Sequence, residues 1–160
     1  MLKPRPPVMH KTSFHTMLKI LSVLATIGMA GGVLELLFQH FLFSSNALVI
    51  ACQIGAALLM LWARKELGLR SLHASANPTR GGLVTGGPYR HVRHPIYTSV
   101  CLFVWAGALG NISTRSMIIA TVLLFSALVR MFCEEMLIID TYPEYADYMA
   151  TTWRMIPYIF

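Results

Sequence analysis

Two stretches near the N-terminus, residues 17–38 and 41–63, are almost unbroken apolar sequence, and that length of apolar chain has few ways to fold. As a helix rising about 1.5 Å per residue, each is long enough to cross a hydrocarbon core of about 30 Å. In lipid the backbone N–H and C=O groups have no water to bond, so such a segment must be helical. Two further apolar stretches follow. Residues 96–110 are short at about 15 residues, residues 116–133 are longer, and Asn111-Ile-Ser-Thr-Arg115 forms the turn between them. A short span gains most by packing against its neighbour, so these two should form a hairpin. The expected fold is all-α: an integral membrane helical bundle of about four transmembrane helices. It is read as a single domain over 1–160, with a helical hairpin in 1–75 and the chemistry in 76–160.

Composition agrees, with 56% hydrophobic and 12% charged residues, where a soluble domain carries about 25% charge. A cleaved signal peptide is not expected, because the first apolar run is too long and no small-residue cleavage site follows it. The formal charge of +6 does not point to nucleic acid, because its distribution is that of a membrane protein. Lys3, Arg5, Lys11 and Lys19 lie before or at the start of the first span, and Arg64, Lys65, Arg70, Arg80, Arg90 and Arg93 lie between the second and third. Four spans put both groups on one side, which the positive-inside rule makes cytoplasmic, together with both termini. The opposite loops offer His40 and Arg115 alone as cations. Cys52, Cys101 and Cys133 are scattered through apolar sequence without a Cys-x-x-Cys pair, so they read as core residues and no metal is expected.

The chemistry concentrates in Gly86-Gly-Pro-Tyr-Arg-His-Val-Arg-His-Pro-Ile-Tyr97. Gly86, Gly87 and Pro88 suit a tight turn, and Pro95 suits the first position of a helix, where its missing N–H is not needed. The turn thus carries histidines and arginines to a helix N-terminus, where unpaired N–H groups already favour an anion. Arg130-Met-Phe-Cys-Glu-Glu135 closes the last apolar run, and Arg130 and Glu134, four residues apart, share a helix face. Tyr142-Pro-Glu-Tyr145-Ala-Asp-Tyr148 and Trp153-Arg154-Met-Ile-Pro157 follow, with Pro143 expected to open a short amphipathic helix.

In order and spacing, these elements resemble the isoprenylcysteine carboxyl methyltransferase family of integral membrane methyltransferases, which use S-adenosylmethionine. The resemblance spans about residues 81–157. It departs from the family between Pro143 and Tyr145, where one residue stands and many members have two. The resemblance implies that Gly81, Gly82, Leu83, Val84, Tyr89, His94, Pro95, Ile96, Tyr97 and Glu134 hold the cofactor and that Arg130 grips the acceptor; Arg154, after the amphipathic helix, is read beside Arg130 as substrate-binding, near the site entrance or at the headgroups. The candidate catalytic set is Arg130, Glu134, Glu135 and His91.

Methyl transfer from a sulfonium is an in-line displacement, for which orientation and exclusion of water matter most. A carboxylate acceptor needs no base. An amine or thiol does, with His91, His94 and Glu135 as candidates. The function expected is therefore methyl transfer in the bilayer to a lipophilic or amphiphilic acceptor such as the carboxylate of an isoprenylcysteine. A phospholipid amine or small thiol is the alternative within that class, and a sterol-reductase-like enzyme using NADPH is the alternative outside it. Plainer readings stand beside these: Arg130 and Glu134 as an ion pair at a membrane end, His91 and His94 at the headgroups, the late tyrosines and Trp153 as an interfacial belt, and Glu35 packing against another helix. The site reading expects Tyr89, His94 and Glu134 to converge beneath a lid carrying Tyr145, Tyr148 and Trp153.

Overall fold

A computed structural model describes residues 8–68 and 82–160, with side chains from residue 12. The described chain is helical: α1 (Val8–Phe38), α2 (Ala47–Leu67), α3 (Pro95–Gly110), α4 (Thr114–Ile139) and α5 (Tyr145–Thr151), with a 3-10 turn, Gly87–Arg90, before α3. Segments Thr12–Phe38, Ala47–Leu67 and Thr114–Ile139 are each long and apolar enough to cross a membrane, and α3 is a shorter apolar helix. The architecture is the helical membrane bundle expected.

The boundaries follow the capping chemistry more closely than the hydropathy. Apolar sequence resumes at Phe41, but α2 starts at Ala47, because the side chain of Asn46 accepts the Leu48 N–H at 2.9 Å and caps the helix. At its other end α2 runs past Ala63 to place Arg64 and Lys65 in its last turn, where the helix dipole favours cations. A reciprocal capping box between Ser113 and Ser116 opens α4, which continues through Glu134 and Glu135 to Ile139. Pro143 does not begin α5: the chain first turns, with Tyr145 N–H donating to Tyr142 C=O at 3.0 Å, and the helix starts at Tyr145.

Helices α1 and α2 share few contacts, although they are consecutive; α1 lies against α4, α4 against α3, and α3 against α2. The α1–α4 pair is antiparallel. Glu35 pairs with Arg115 at one end, so the lone acid of the first span does meet another helix, and His15 Nε2 lies 2.7 Å from Asp140 Oδ2 at the other end. The core between the helices is built from Leu36, Val104, Ala108, Ala120, Leu123 and Met131. Outward side chains such as Ile20, Leu24 and Ile27 on α1 and Ile54, Leu58 and Leu61 on α2 are exposed, as a lipid-facing surface requires.

At the end that carries Glu35 and Arg115, the loop between α1 and α2 is pressed onto α3. A Cβ on Gly107 would fall 2.2 Å from the Leu42 carbonyl oxygen, so only glycine allows this approach. The loop carbonyls are satisfied by side-chain amides: Gln53 Nε2 donates to Leu42 C=O at 2.6 Å and Asn111 Nδ2 to Phe43 C=O at 2.8 Å.

Candidate functional site

At the other end, the 3-10 turn sets the site against α2. Gly87 has φ +54°, in the left-handed region that favours glycine, and it lies close against the Glu66 side chain of α2. Pro88 and Tyr89 are buried in this turn. His94 is the N-cap residue of α3, and Pro95 occupies its first turn, fully buried, as the sequence pattern requires.

The C-terminal segment then runs beside residues 91–94 as a short parallel bridge. Trp153 N–H donates to His91 C=O at 3.0 Å, Arg93 N–H to Trp153 C=O at 2.7 Å, and His94 N–H to Arg154 C=O at 2.9 Å. Two hydroxyls tighten the junction: Tyr148 donates to Tyr89 C=O at 2.6 Å and Thr98 to Met155 C=O at 2.8 Å. Burial, reinforced by Tyr148 and Glu134, pushes the Tyr89 phenol up. Burial likewise pushes Tyr148 up to about 12, against the opposing pull of Arg93, so both stay neutral near pH 7.

Beneath this segment lies an ionic hub centred on Glu135. Oε1 accepts from Arg93 Nε at 2.9 Å and lies 3.2 Å from His94 Nε2, while Oε2 accepts from Arg154 Nε at 3.1 Å. Arg93 also donates to the backbone carbonyls of Met149 and Thr152. Arg93, His94 and Glu135 are all buried. Charges in so apolar a place persist only when each is paired and hydrogen-bonded, which this hub achieves. Its effect is to tie α4, the start of α3 and the C-terminal segment to one carboxylate.

Glu134, one residue earlier, has different neighbours. Tyr97 Oη donates to its Oε1 at 2.7 Å, and Arg130 Nε reaches the same oxygen at 3.1 Å. Arg130 Nε also meets Tyr97 Oη, and its Nη1 meets Thr26 Oγ1 of α1. The His94 ring lies beside Tyr97 with centroids 5.7 Å apart, which links the two clusters. Every protein donor on Glu134 uses Oε1; Oε2 takes none among the described residues.

Tyr89, His94, Tyr97, Arg130, Glu134 and Glu135 are thus gathered at one end of the bundle, with Tyr145 buried and Tyr148 bonded over them. Ile96 is half-buried at the start of α3, Leu83 and Val84 are half-buried before the 3-10 turn, and Gly82 is exposed. His91 is exposed at the rim, and Arg154 is half-exposed. Gly81, along with Arg70 and Arg80, falls outside the described residues. Two contributors escaped the sequence reading. Arg93 stood there as a topogenic charge and as one of the motif's cations at a helix N-terminus, not as the partner of Glu135. Thr26 gave no signal beyond being a hydroxyl in an apolar run.

Residues 41–145 match the family model described as phospholipid methyltransferase. The matched stretch contains the 86–97 cluster and Arg130, Glu134 and Glu135, and it leaves out α1 and everything after Tyr145. No curated protein and no solved structure matches the chain significantly.

Proposed function

The chain belongs to the phospholipid methyltransferase family, within the group of integral membrane methyltransferases to which its motifs bear resemblance, and from that premise we propose that it transfers a methyl group from S-adenosylmethionine to the headgroup amine of a phospholipid. A methyltransferase in a bundle with lipid-facing helices acts at the bilayer; the acceptor and the individual roles below are our reading. The observation that carries it is Glu134, held by Tyr97 and Arg130 inside the family-matched stretch with one carboxylate oxygen open.

The residues fit S-adenosylmethionine. An open, anionic Glu134 Oε2 suits an ammonium or a ribose hydroxyl, and Gly82, with φ +79°, allows close backbone approach to a flat ring. Tyr89, His94 and Tyr97 supply buried aromatic walls. The bound cofactor supplies an electrophilic methyl. The protein supplies orientation and dryness, with Tyr97 and Arg130 fixing the Glu134 carboxylate and the C-terminal segment excluding water.

An amine acceptor must lose a proton before it attacks. Among the three candidate bases, Glu135 has both oxygens on cations and His94 is bonded to Glu135, so we assign the proton to His91 at the rim. The carboxylate of an isoprenylcysteine is the second reading, and the motif favours it through Arg130. Its Nε is engaged by Tyr97 and Glu134 and its Nη1 by Thr26, so a carboxylate would have to bind without the usual side-on fork.

The site lies at the end of the bundle that carries Arg64, Lys65, Arg90, Arg93 and Arg154, whereas Arg115 at the other end is paired with Glu35. By the positive-inside rule we place the site and both termini in the cytoplasm. Calorimetric titration of the purified, folded chain with S-adenosylmethionine tests the proposal, followed by label transfer from it to phosphatidylethanolamine vesicles. Absence of binding, or an unchanged affinity in Glu134→Ala, sinks it. With a farnesylcysteine carboxylate offered beside those vesicles, label recovered as its base-labile methyl ester instead of a methylated amine replaces the amine reading with the carboxylate one.

A further inference from the structure

Arg154 stands at the seam between the buried hub and the lipid-facing surface. Its Nε donates to Glu135 Oε2 at 3.1 Å, and its guanidinium carbon lies 5.1 Å from the Phe132 ring centroid and 5.3 Å from that of Phe160. One edge is therefore committed and the planar group is held against two rings. Both terminal amino groups lack a protein partner among the described residues, and the side chain is 33% exposed. An arginine immobilised in this way presents a ready fork.

The surroundings say what the fork would meet. Phe132 is exposed, as are Met136 and Ile139, which follow it at helical spacing and form an outward apolar stripe on α4. Beyond Arg154 the chain closes a hook, with Met155 N–H donating to Phe160 C=O at 2.7 Å and Phe160 N–H to Ile156 C=O at 3.0 Å. At its tip Tyr158 takes φ +66° and is 86% exposed, beside exposed Ile159. A non-glycine residue in that left-handed region carries some strain, sustained here by the hook's hydrogen bonds. A soluble anion would gain nothing from this apolar rim. An anion at the head of acyl chains would gain from both parts.

We propose that Arg154, with Phe132 and the hook at 156–160, forms a phospholipid site in which the terminal amino groups of Arg154 hold the phosphodiester and the apolar rim receives the chains. Such phosphate pairs are bidentate and charge-assisted. The proposal rests on the phospholipid methyltransferase reading, since it names where the acceptor's phosphate sits. Arg154 and the hook lie outside residues 41–145, so the family match does not itself contain them.

The test is equilibrium binding of radiolabelled dioleoyl-phosphatidylethanolamine to the full chain in detergent, with dioleoylglycerol and inorganic phosphate as the other probes. Arg154→Gln is expected to weaken phosphatidylethanolamine by about tenfold or more. Arg154→Lys should keep the pairing with Glu135 yet still weaken the lipid, because a point charge replaces a fork. S-adenosylmethionine affinity in Arg154→Lys should stay near that of the wild type, which shows that the segment remains docked. Dioleoylglycerol should bind every variant at the Arg154→Gln level, and millimolar phosphate should not displace the phospholipid. Equal binding of both lipids by the wild type, indifference to Arg154→Gln, or displacement by phosphate alone overturns the site. Those results, obtained while S-adenosylmethionine still binds, leave the methyltransferase reading standing. A chain that does not bind S-adenosylmethionine removes that reading whatever the lipid does.

Discussion

Glu134 and Glu135 are adjacent on α4 and live in different chemistry. Glu135, with a side chain 7% exposed, gives both oxygens to Arg93, His94 and Arg154, while Glu134, at 21%, uses one oxygen for Tyr97 and Arg130 and keeps the other open. One residue turns a helix by about 100°, enough to aim identical side chains at different elements. Glu135 faces the start of α3 and the C-terminal segment, and Glu134 faces the Tyr97 side of α3. The pair separates a carboxylate that assembles the site from one left available to a ligand.

Removing the hub's carboxylate is the most severe way to probe that separation. In Glu135→Ala, Arg93, His94 and Arg154 lose their shared partner in a buried place, a loss of about 3–5 kcal/mol by analogy with other broken buried pairs. The C-terminal segment should come loose, with rapid proteolysis beyond α5 and loss of cofactor binding. Wild-type protease resistance of that segment would show that the backbone bridge at Val92 and Trp153 holds it unaided.

Glu134→Gln sharpens the contrast from the other side. The amide oxygen can still accept from Tyr97, so the melting temperature should move little, while the anionic oxygen disappears. S-adenosylmethionine affinity should fall about tenfold or more as the charge-assisted bond is lost. If Glu134→Gln instead lowers stability as much as Glu135→Ala, the two carboxylates do the same work and the distinction fails.

Part of this contrast could be read from the chain alone. The four apolar stretches, Pro95 at a helix start and the four-residue step from Arg130 to Glu134 are local patterns, and local geometry determines their outcome. The hub is not local. Arg154 reaches Glu135 because Trp153 bridges to Val92, and a lone bridge has no periodicity to announce it. Asn46 illustrates another limit: hydropathy runs straight through Phe41 and Leu42, and only a cap four or five residues on marks where α2 starts. Thr26 is the extreme case, since it meets Arg130 only because α1 packs on α4 and not on α2.

Thr26 also provides a smaller test. If Arg130 orients the acceptor, Thr26→Val, similar in volume but without the hydroxyl, should raise the acceptor KM about threefold to tenfold and leave cofactor affinity unchanged. An equal loss in cofactor affinity would mean that Arg130 serves the site only by fixing Glu134 and not by orienting the acceptor.

The mildest perturbation concerns Tyr148, whose hydroxyl bonds the Tyr89 carbonyl and joins α5 to the 3-10 turn. Burial raises this phenol from 10.0 to about 12, opposed by Arg93. The folded chain therefore holds the proton where the unfolded chain has released it, so the contribution is complete below pH 10.0 and is lost as pH rises toward 12. Tyr89 and Tyr145 are pushed in the same direction by burial, so alkaline unfolding should be steep and shared among the three. Tyr148→Phe should cost about 1 kcal/mol near neutral pH, and it should flatten only part of the alkaline limb when melting temperature is followed against pH. Neither Glu134 nor Glu135 loses a hydrogen-bond partner in this variant, so cofactor affinity should be retained at neutral pH. A collapse of binding in Tyr148→Phe would mean that the lid depends on this one phenol and not on the Glu135 hub, and the contrast between the two glutamates would have to be redrawn around Tyr89.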